Sequence, residues 1–268
     1  MRIVVKAGGD LLKAGLPEQL LENLVSLHRE HRLVLVHGGG DIVTEISTRL
    51  GHPPKFVVSP KGFKSRYTDE EESRIFTMVM TGKISNEIVT GLEKKGVSSV
   101  GLSGLDAHLI EAERKKQLII MDERGRRRLI EGGYTGKIRE VNSQLIEVLF
   151  ESNVLPVVSP VAQGEEYESL NVDGDRTASA IASAIKADAL ILLTDVKGLI
   201  LDDALVQRLS LTQAEASMDQ IGPGMITKVY AAVEAVRNGV GEAIIASGFS
   251  DSPLTCALGH KECTVITK

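Results

Sequence analysis

Cysteine is nearly absent: Cys256 and Cys263 are the only two in 268 residues. They form neither a CxxC pair nor a metal-ligand spacing, which excludes a disulfide scaffold and a zinc module. Reduced, partly buried thiols in a cytoplasmic protein are the expectation. No run approaches the roughly 18 consecutive apolar residues of a membrane span. The opening apolar stretch reaches Lys6 too soon for a signal peptide, so no membrane association is expected. Positive charge is not in excess either. The formal net charge of −5 counts against a general nucleic-acid binder. Ser-His-Asp and Cys-His constellations are missing, and so are the phosphate-loop pattern GxxxxGKS/T and the dinucleotide pattern GxGxxG.

What remains is an ordinary globular composition, 43% hydrophobic and 25% charged, long enough to bury a substantial core. Apolar runs alternate with amphipathic stretches along nearly the whole chain, the mark of an α/β protein with a largely parallel sheet. Strands are predicted at 3–5, 33–36, 97–102, 154–159, 189–194, 243–246 and 263–267. Helices are predicted at about 17–31, from 41, at 175–187, 212–221 and 225–238. A long helix is predicted to open at Thr68, with Glu71 completing a capping box, and to run to Gly96. Its exposed-looking Met78 and Met80 and interior Gly82 fit either subunit packing or a core helix. Segments 118–121 and 127–130 read as a hairpin around 122–126. A change of character near Leu170 divides one domain into two lobes.

Two glycine-rich segments follow the first two strands: Lys6-Ala7-Gly8-Gly9 and His37-Gly38-Gly39-Gly40. Ligands of parallel α/β sheets bind at the carboxyl ends of strands. Glycine there lets backbone N–H groups approach an anion, and a following helix adds its positive end. Each segment alone is equally a tight turn; the pair, with Lys6 at a strand end, points to phosphoryl handling. Phosphoryl transfer needs charge neutralisation and in-line positioning more than covalent help. A carboxylate acceptor is already ionised at neutral pH, so no general base is required. His37 is better read as a prop for its glycine turn than as a base.

These segments, with Arg66-Tyr67-Thr68-Asp69, Asn171-Val172-Asp173-Gly174-Asp175, Thr194-Asp195-Val196-Lys197-Gly198 and Gly224-Met225-Ile226-Thr227-Lys228, follow one another as in the amino acid kinase family. The resemblance spans the chain and is nearest to the acetylglutamate kinase branch. It implies a three-layer αβα sandwich around a mainly parallel sheet, with an acceptor and dimerisation lobe at about 1–170 and a nucleotide lobe at 171–268. It implies ATP as donor, with Mg2+ held mainly by phosphates and water and no dedicated metal site. Lys6 and Lys228 would stabilise the transition state and Asp175 would hold both lysines. Gly8, Gly9, Thr194, Asp195, Lys197, Gly198 and Met225 would line the nucleotide. Gly39, Gly40, Arg66 and Asn171 would hold the acceptor, Arg66 through its α-carboxylate. The bland alternatives are an N-cap for Asp175, a surface ion pair for Arg66 and a solvated helix lysine for Lys228.

That branch divides between free N-acetylglutamate and amino acids linked to an amino-group carrier protein. The stretch 65–69 and Ser103-Gly104-Leu105-Asp106 resemble the carrier-linked kinases, although Ala107-His108 stands where these often have glycines. The resemblance then implies side-chain phosphorylation of aminoadipate or glutamate on the acidic carrier LysW, in lysine and arginine biosynthesis. Arg114, Lys115, Lys116, Arg124, Arg126, Arg127 and Arg128 stand against Asp122 and Glu123, a local positive field that could steer an acidic partner. A solvated edge hairpin is the equal alternative. No aromatic residue interleaves these arginines to stack a nucleic-acid base. Segment 61–64 is expected to help choose between aminoadipate and the shorter glutamate. The resemblance implies a homodimer, and with so few residues before Lys6 the N-terminal helix that builds hexamers in some relatives is not expected. N-acetylglutamate kinase and a non-catalytic nucleotide sensor remain the alternatives.

Overall fold

The computed structural model describes every residue except Ala14, Lys61, Phe63 and Pro223. The expected specificity segment 61–64 therefore lies partly outside the described residues. Eight strands form the central sheet in the order Arg208–Ser210, Cys263–Thr267, Glu242–Ser247, Ala189–Thr194, Arg2–Ala7, Arg32–His37, Leu155–Val158 and Ser99–Leu102. Only the pairing of Glu242–Ser247 with Cys263–Thr267 is antiparallel. The sheet crosses the predicted lobe boundary without a break, because Arg2–Ala7 pairs with Ala189–Thr194 on one side and Arg32–His37 on the other.

Strand periodicity separates two cores. Val4, Val34, Val36, Leu190 and Leu192 face helices Gly174–Ala184, Met225–Arg237 and Gln144–Glu151. Ile3, Val5, Leu33, Leu35 and Leu193 face the opposite layer, which includes Glu18–His28 and Pro253–Leu258. Successive residues of a strand point to opposite faces. A strand apolar at both parities must therefore be covered twice, and the three-layer sandwich follows.

The predicted central strands are all present, as are the helices opening at 18, 40, 174 and 225. The helix predicted over 212–221 stops earlier, as Leu211–Ala216 followed by a short 3-10 turn. Two small antiparallel-rich sheets go beyond the expectation. One joins Lys55–Val58 and Lys64–Tyr67 to the predicted hairpin, Gln117–Met121 and Arg127–Glu131. The other joins Ser169–Asn171, Val161–Gln163, Ile110–Arg114 and Gly136–Val141. Unlike the central strands, several of these carry charged residues and are largely solvent-exposed, as in Lys55–Val58, Lys64–Tyr67 and Arg127–Glu131, so no long apolar run marks them.

The predicted long helix is three pieces: Glu70–Thr77, a π-helical stretch Met78–Ile84, and Ser85–Lys94. Its N-cap is Asp69, which accepts from Glu72 N, and not Thr68, which is fully buried. The pattern of a small hydroxyl followed by Gln at the third position does form a capping box elsewhere, between Ser210 and Gln213. Met80 is buried rather than exposed, while Met78 is exposed. Most of this segment serves the core, with Ile75, Phe76, Val79, Ile84, Ile88 and Leu92 in one cluster.

Candidate active site

The carboxyl ends of the neighbouring strands Arg2–Ala7 and Arg32–His37 lie side by side, and Gly174 packs against Lys6 Cε and His37 O. Lys6, next to last in strand Arg2–Ala7, is only 7% exposed, and its ammonium is buried with its partner rather than held out in water. Its Nζ is 2.8 Å from Asp175 Oδ1, and Lys228 Nζ donates to Asp175 Oδ2 at 3.1 Å. One carboxylate, 4% exposed, thus bridges two lysines from opposite ends of the chain. Asp175 is not the N-cap of helix Gly174–Ala184: Asp173 fills that place by accepting from Arg176 N. Asp175 is free to point at the lysines, and the bland reading of it fails.

Electrostatics follow from this arrangement. Burial works to raise the Asp175 carboxyl, but Lys6 and Lys228 overcome it and hold the group down at about 2. Burial works to lower Lys6, and the charge and proximity of Asp175, aided by Asp173 and Asp10, leave its ammonium above the ordinary value. Asp173 is pushed up, first by desolvation and then by repulsion from Asp175. The Lys6 ammonium therefore stays charged where burial alone would favour the neutral amine.

The two glycine segments pack backbone against backbone. A Cβ on Gly38 would lie 2.9 Å from Gly9 N, and one on Gly9 would lie 3.1 Å from Gly39 N. Gly39 also has φ +143 and packs so closely on Ile84 that a side chain would collide with it. Helix Gly40–Arg49 opens here, and its first N–H groups have no intrahelical partner. Space beside Gly40 is open. The π-helical stretch supplies Ile84 as part of the seat for this turn.

His37 is fully buried beneath the same turn. Its Nδ1 lies 2.9 Å from Gly38 O and its Nε2 lies 2.9 Å from Ser159 Oγ, which is 3.3 Å from Met80 O. Burial, outweighing the hydrogen bond to Gly38 and reinforced by the Lys6 charge, lowers the imidazole from 6.5 to about 4. A neutral ring with both nitrogens engaged is a prop and not a base.

Arg66 lies on strand Lys64–Tyr67, with 8% of its side chain exposed. Its Nη1 is 2.5 Å from Glu72 Oε1, and its Nη2 donates to Gly40 O at 2.8 Å and Thr44 Oγ1 at 2.7 Å. The surface ion pair is therefore a buried one, set against the second glycine turn. Asn171 ends strand Ser169–Asn171 and donates from Nδ2 to Thr68 Oγ1 at 2.9 Å. Thr68, displaced from the capping role, holds this amide instead.

Thr194 ends a central strand, and its hydroxyl donates to Asp195 Oδ1 at 3.0 Å. Lys197, well exposed, pairs with Glu262 at 2.6 Å. Gly198 abuts Thr264, where a Cβ would lie 2.6 Å from its hydroxyl oxygen. Gly224, with φ +91, opens the helix that carries Met225 against the core and Lys228 into the crevice.

The basic residues fall into two groups. On the hairpin, Arg126 and Arg128 both pair with Asp122, at 3.0 and 2.9 Å, while Arg124 and Arg127 are exposed and lack an ion pair among the described residues. Arg114, Lys115 and Lys116 line a separate cleft of about 710 Å³, together with Glu113, Glu131 and Glu168. Arg114 donates to Gly133 O and stacks 3.9 Å over Tyr134. Lys115 reaches solvent at this cleft, yet desolvation and the nearby Arg176 lower its ammonium. The cleft carries both signs of charge and contains none of Lys6, Asp175, Lys228 or the glycine turns.

Sequence reasoning missed Glu72, Thr44, Ser159 and Asp173. N-cap preference could have found Asp173, since Asp three residues before the amide it caps is the usual arrangement. Nothing in the acidic run 69–72 tells which carboxylate is buried.

Two glycine turns and a carboxylate-bridged pair of lysines, set at the strand ends of a doubly covered sheet, define an α/β phosphoryl-handling protein. Comparison with known proteins narrows this class. Residues 1–247 match the amino acid kinase family. A protein of Cenarchaeum symbiosum is 51% identical over 264 residues, covering 98% of each chain. One of Saccharolobus solfataricus, named LysW-aminoadipate/LysW-glutamate kinase, is 45% identical over 257 residues, covering 96% of each. Among solved structures, smu.665 of Streptococcus mutans superposes with a TM-score of 0.78 at 26% identity, over 99% of this chain and 98% of that one. The chain belongs to the amino acid kinase family.

Proposed function

We propose that this chain transfers the terminal phosphoryl group of ATP to the side-chain carboxylate of aminoadipate, and of glutamate, carried on the amino-group carrier protein LysW. The observation that carries the reading is the Lys6–Asp175–Lys228 bridge at the glycine crevice; the name of the 45% identical relative supplies the acceptor. In this reading a carboxylate oxygen of the acceptor forms a bond to the γ-phosphorus while the bond to the β,γ-bridging oxygen breaks. The electron pair leaves with ADP, the product is an acyl phosphate, and no proton has to move. Lys6 neutralises the transferring group and Lys228 the charge growing on the leaving ADP. Asp175 keeps the two ammoniums from repelling each other out of position.

The second glycine turn and Asn171 position the acceptor, and Arg66 meets its α-carboxylate. Gly8, Gly9, Thr194, Asp195, Lys197, Gly198 and Met225 line ATP. Residues 1–170 then form the acceptor and dimerisation lobe and 171–268 the nucleotide lobe of a homodimer acting in the cytoplasm. No group of three or more His, Cys, Asp or Glu converges among the described residues. In this reading Mg2+ would arrive with ATP, held mainly by phosphates and water, and neutralise phosphate charge. The exposed arginines of the hairpin give the acidic carrier a landing face.

The test is an ATP-dependent acyl-phosphate assay with carrier-linked aminoadipate, carrier-linked glutamate and free N-acetylglutamate. Turnover of both conjugates above the free acid is expected. Preference for free N-acetylglutamate would make this an arginine-pathway kinase, and no turnover with any acceptor would leave a nucleotide-binding sensor.

A further inference from the structure

Arg66 is more constrained than a residue kept only to meet a substrate. Glu72, 1% exposed, holds Nη1 through Oε1, and its other oxygen accepts from Ser47 Oγ at 2.9 Å. Ser47 is fully buried on helix Gly40–Arg49, and Glu72 lies in the first turn of Glu70–Thr77. Nη2 is shared between Gly40 O and Thr44 Oγ1. The guanidinium face lies 5.1 Å from the Phe56 ring. Two helices, one short strand and the second glycine turn thus meet in a single ion pair. A guanidinium has five N–H donors in a rigid fork, and these hydrogen bonds use three of them.

We infer that Glu72 is a positioning residue for acceptor recognition: through Arg66 it fixes the geometry of both the acceptor's carboxylate partner and the Gly40 carbonyl. The inference rests on the reading that the acceptor's α-carboxylate meets Arg66. Without an anionic partner, a buried guanidinium would seek another carboxylate or water and leave the glycine turn. With Glu72 in place the fork is oriented before the acceptor arrives, and the ordering cost falls on folding rather than on binding. The second hydrogen bond, from Ser47, prevents the carboxylate from turning away. Neither residue touches the phosphoryl group, so binding of ATP should be indifferent to both.

The experiment compares wild type, Glu72→Gln, Ser47→Ala and Arg66→Ala in steady-state assays with carrier-linked aminoadipate, varying acceptor and ATP separately. Glu72→Gln keeps the shape and removes the charge. Its acceptor KM is expected to rise about tenfold, the scale of a lost hydrogen bond to a charged group, with the ATP KM within about twofold. Ser47→Ala keeps the ion pair and is expected to raise the acceptor KM about threefold, which preserves the test if the Gln variant fails to fold. An unchanged acceptor KM in both folded variants overturns the inference, as does an equal rise in both KM values. Arg66→Ala separates the underlying reading: if its acceptor KM is also unchanged, the assignment of Arg66 to the acceptor fails first.

Discussion

The Lys6–Asp175–Lys228 bridge and the Asp122 hairpin use the same device, one carboxylate between two cations, in opposite surroundings. At the crevice all three groups are nearly excluded from water, and the Asp175 carboxyl is held at about 2. On the hairpin Arg126 and Arg128 are more than half exposed, and Asp122 is lowered mainly by a backbone hydrogen bond from Arg126. Coulomb attraction across a few ångströms is weak in water and strong where protein replaces it. The first arrangement can therefore hold two charges ready for a third, negative group. The second shapes a loop and leaves Arg124 and Arg127 to act on a partner from the surface.

The sharpest way to break this comparison is at Lys228. Replacement by alanine is expected to lower kcat about 10²–10³-fold while the nucleotide Kd changes less than about threefold, because the charge is needed most in the transition state. Rapid-quench and equilibrium-binding measurements on the same protein decide it; unchanged turnover would reduce Lys228 to a structural partner of Asp175.

His37 is a further buried titratable group beside Lys6. His37 titrates at about 4 when folded and at 6.5 unfolded. Between these values the unfolded chain binds more protons than the folded one, so stability falls as pH falls. The loss on going from above 6.5 to below about 4 is about 3 kcal/mol. Denaturant melts of wild type and His37→Gln should diverge by that amount over this window. Parallel pH profiles would show that the imidazole is not held neutral by burial.

The smallest effect belongs to the hairpin. Reversing Arg124 and Arg127 to glutamate is expected to raise the carrier-conjugate KM about threefold at low salt, with the ATP KM unchanged and the difference lost at high salt. A salt-independent effect, or none, would return the hairpin to the role of a solvated edge.

Much of this was legible in the chain itself. Buried strands announce themselves by apolar runs, and the central sheet was read almost strand for strand. The two glycine turns and Lys6 lie at strand ends that local sequence already locates. Legibility failed where several residues of one type compete for one place. Thr68 and Asp69 are both good caps, and only the packing of Asn171 against Thr68 decides for Asp69. Met78 and Met80 differ by two positions within a π-helical stretch that no periodicity predicts. The acidic run 69–72 gives no sign that Glu72 alone will be buried against Arg66.

Local sequence determined where phosphate-binding backbone could form, because strand periodicity and glycine freedom act over a few residues. Tertiary structure alone decided which charges meet. Lys6, Asp175 and Lys228 come from a strand end and two separate helices, and nothing local links them. Only the layered packing brings them within 3.1 Å, and only exclusion of water makes that distance matter.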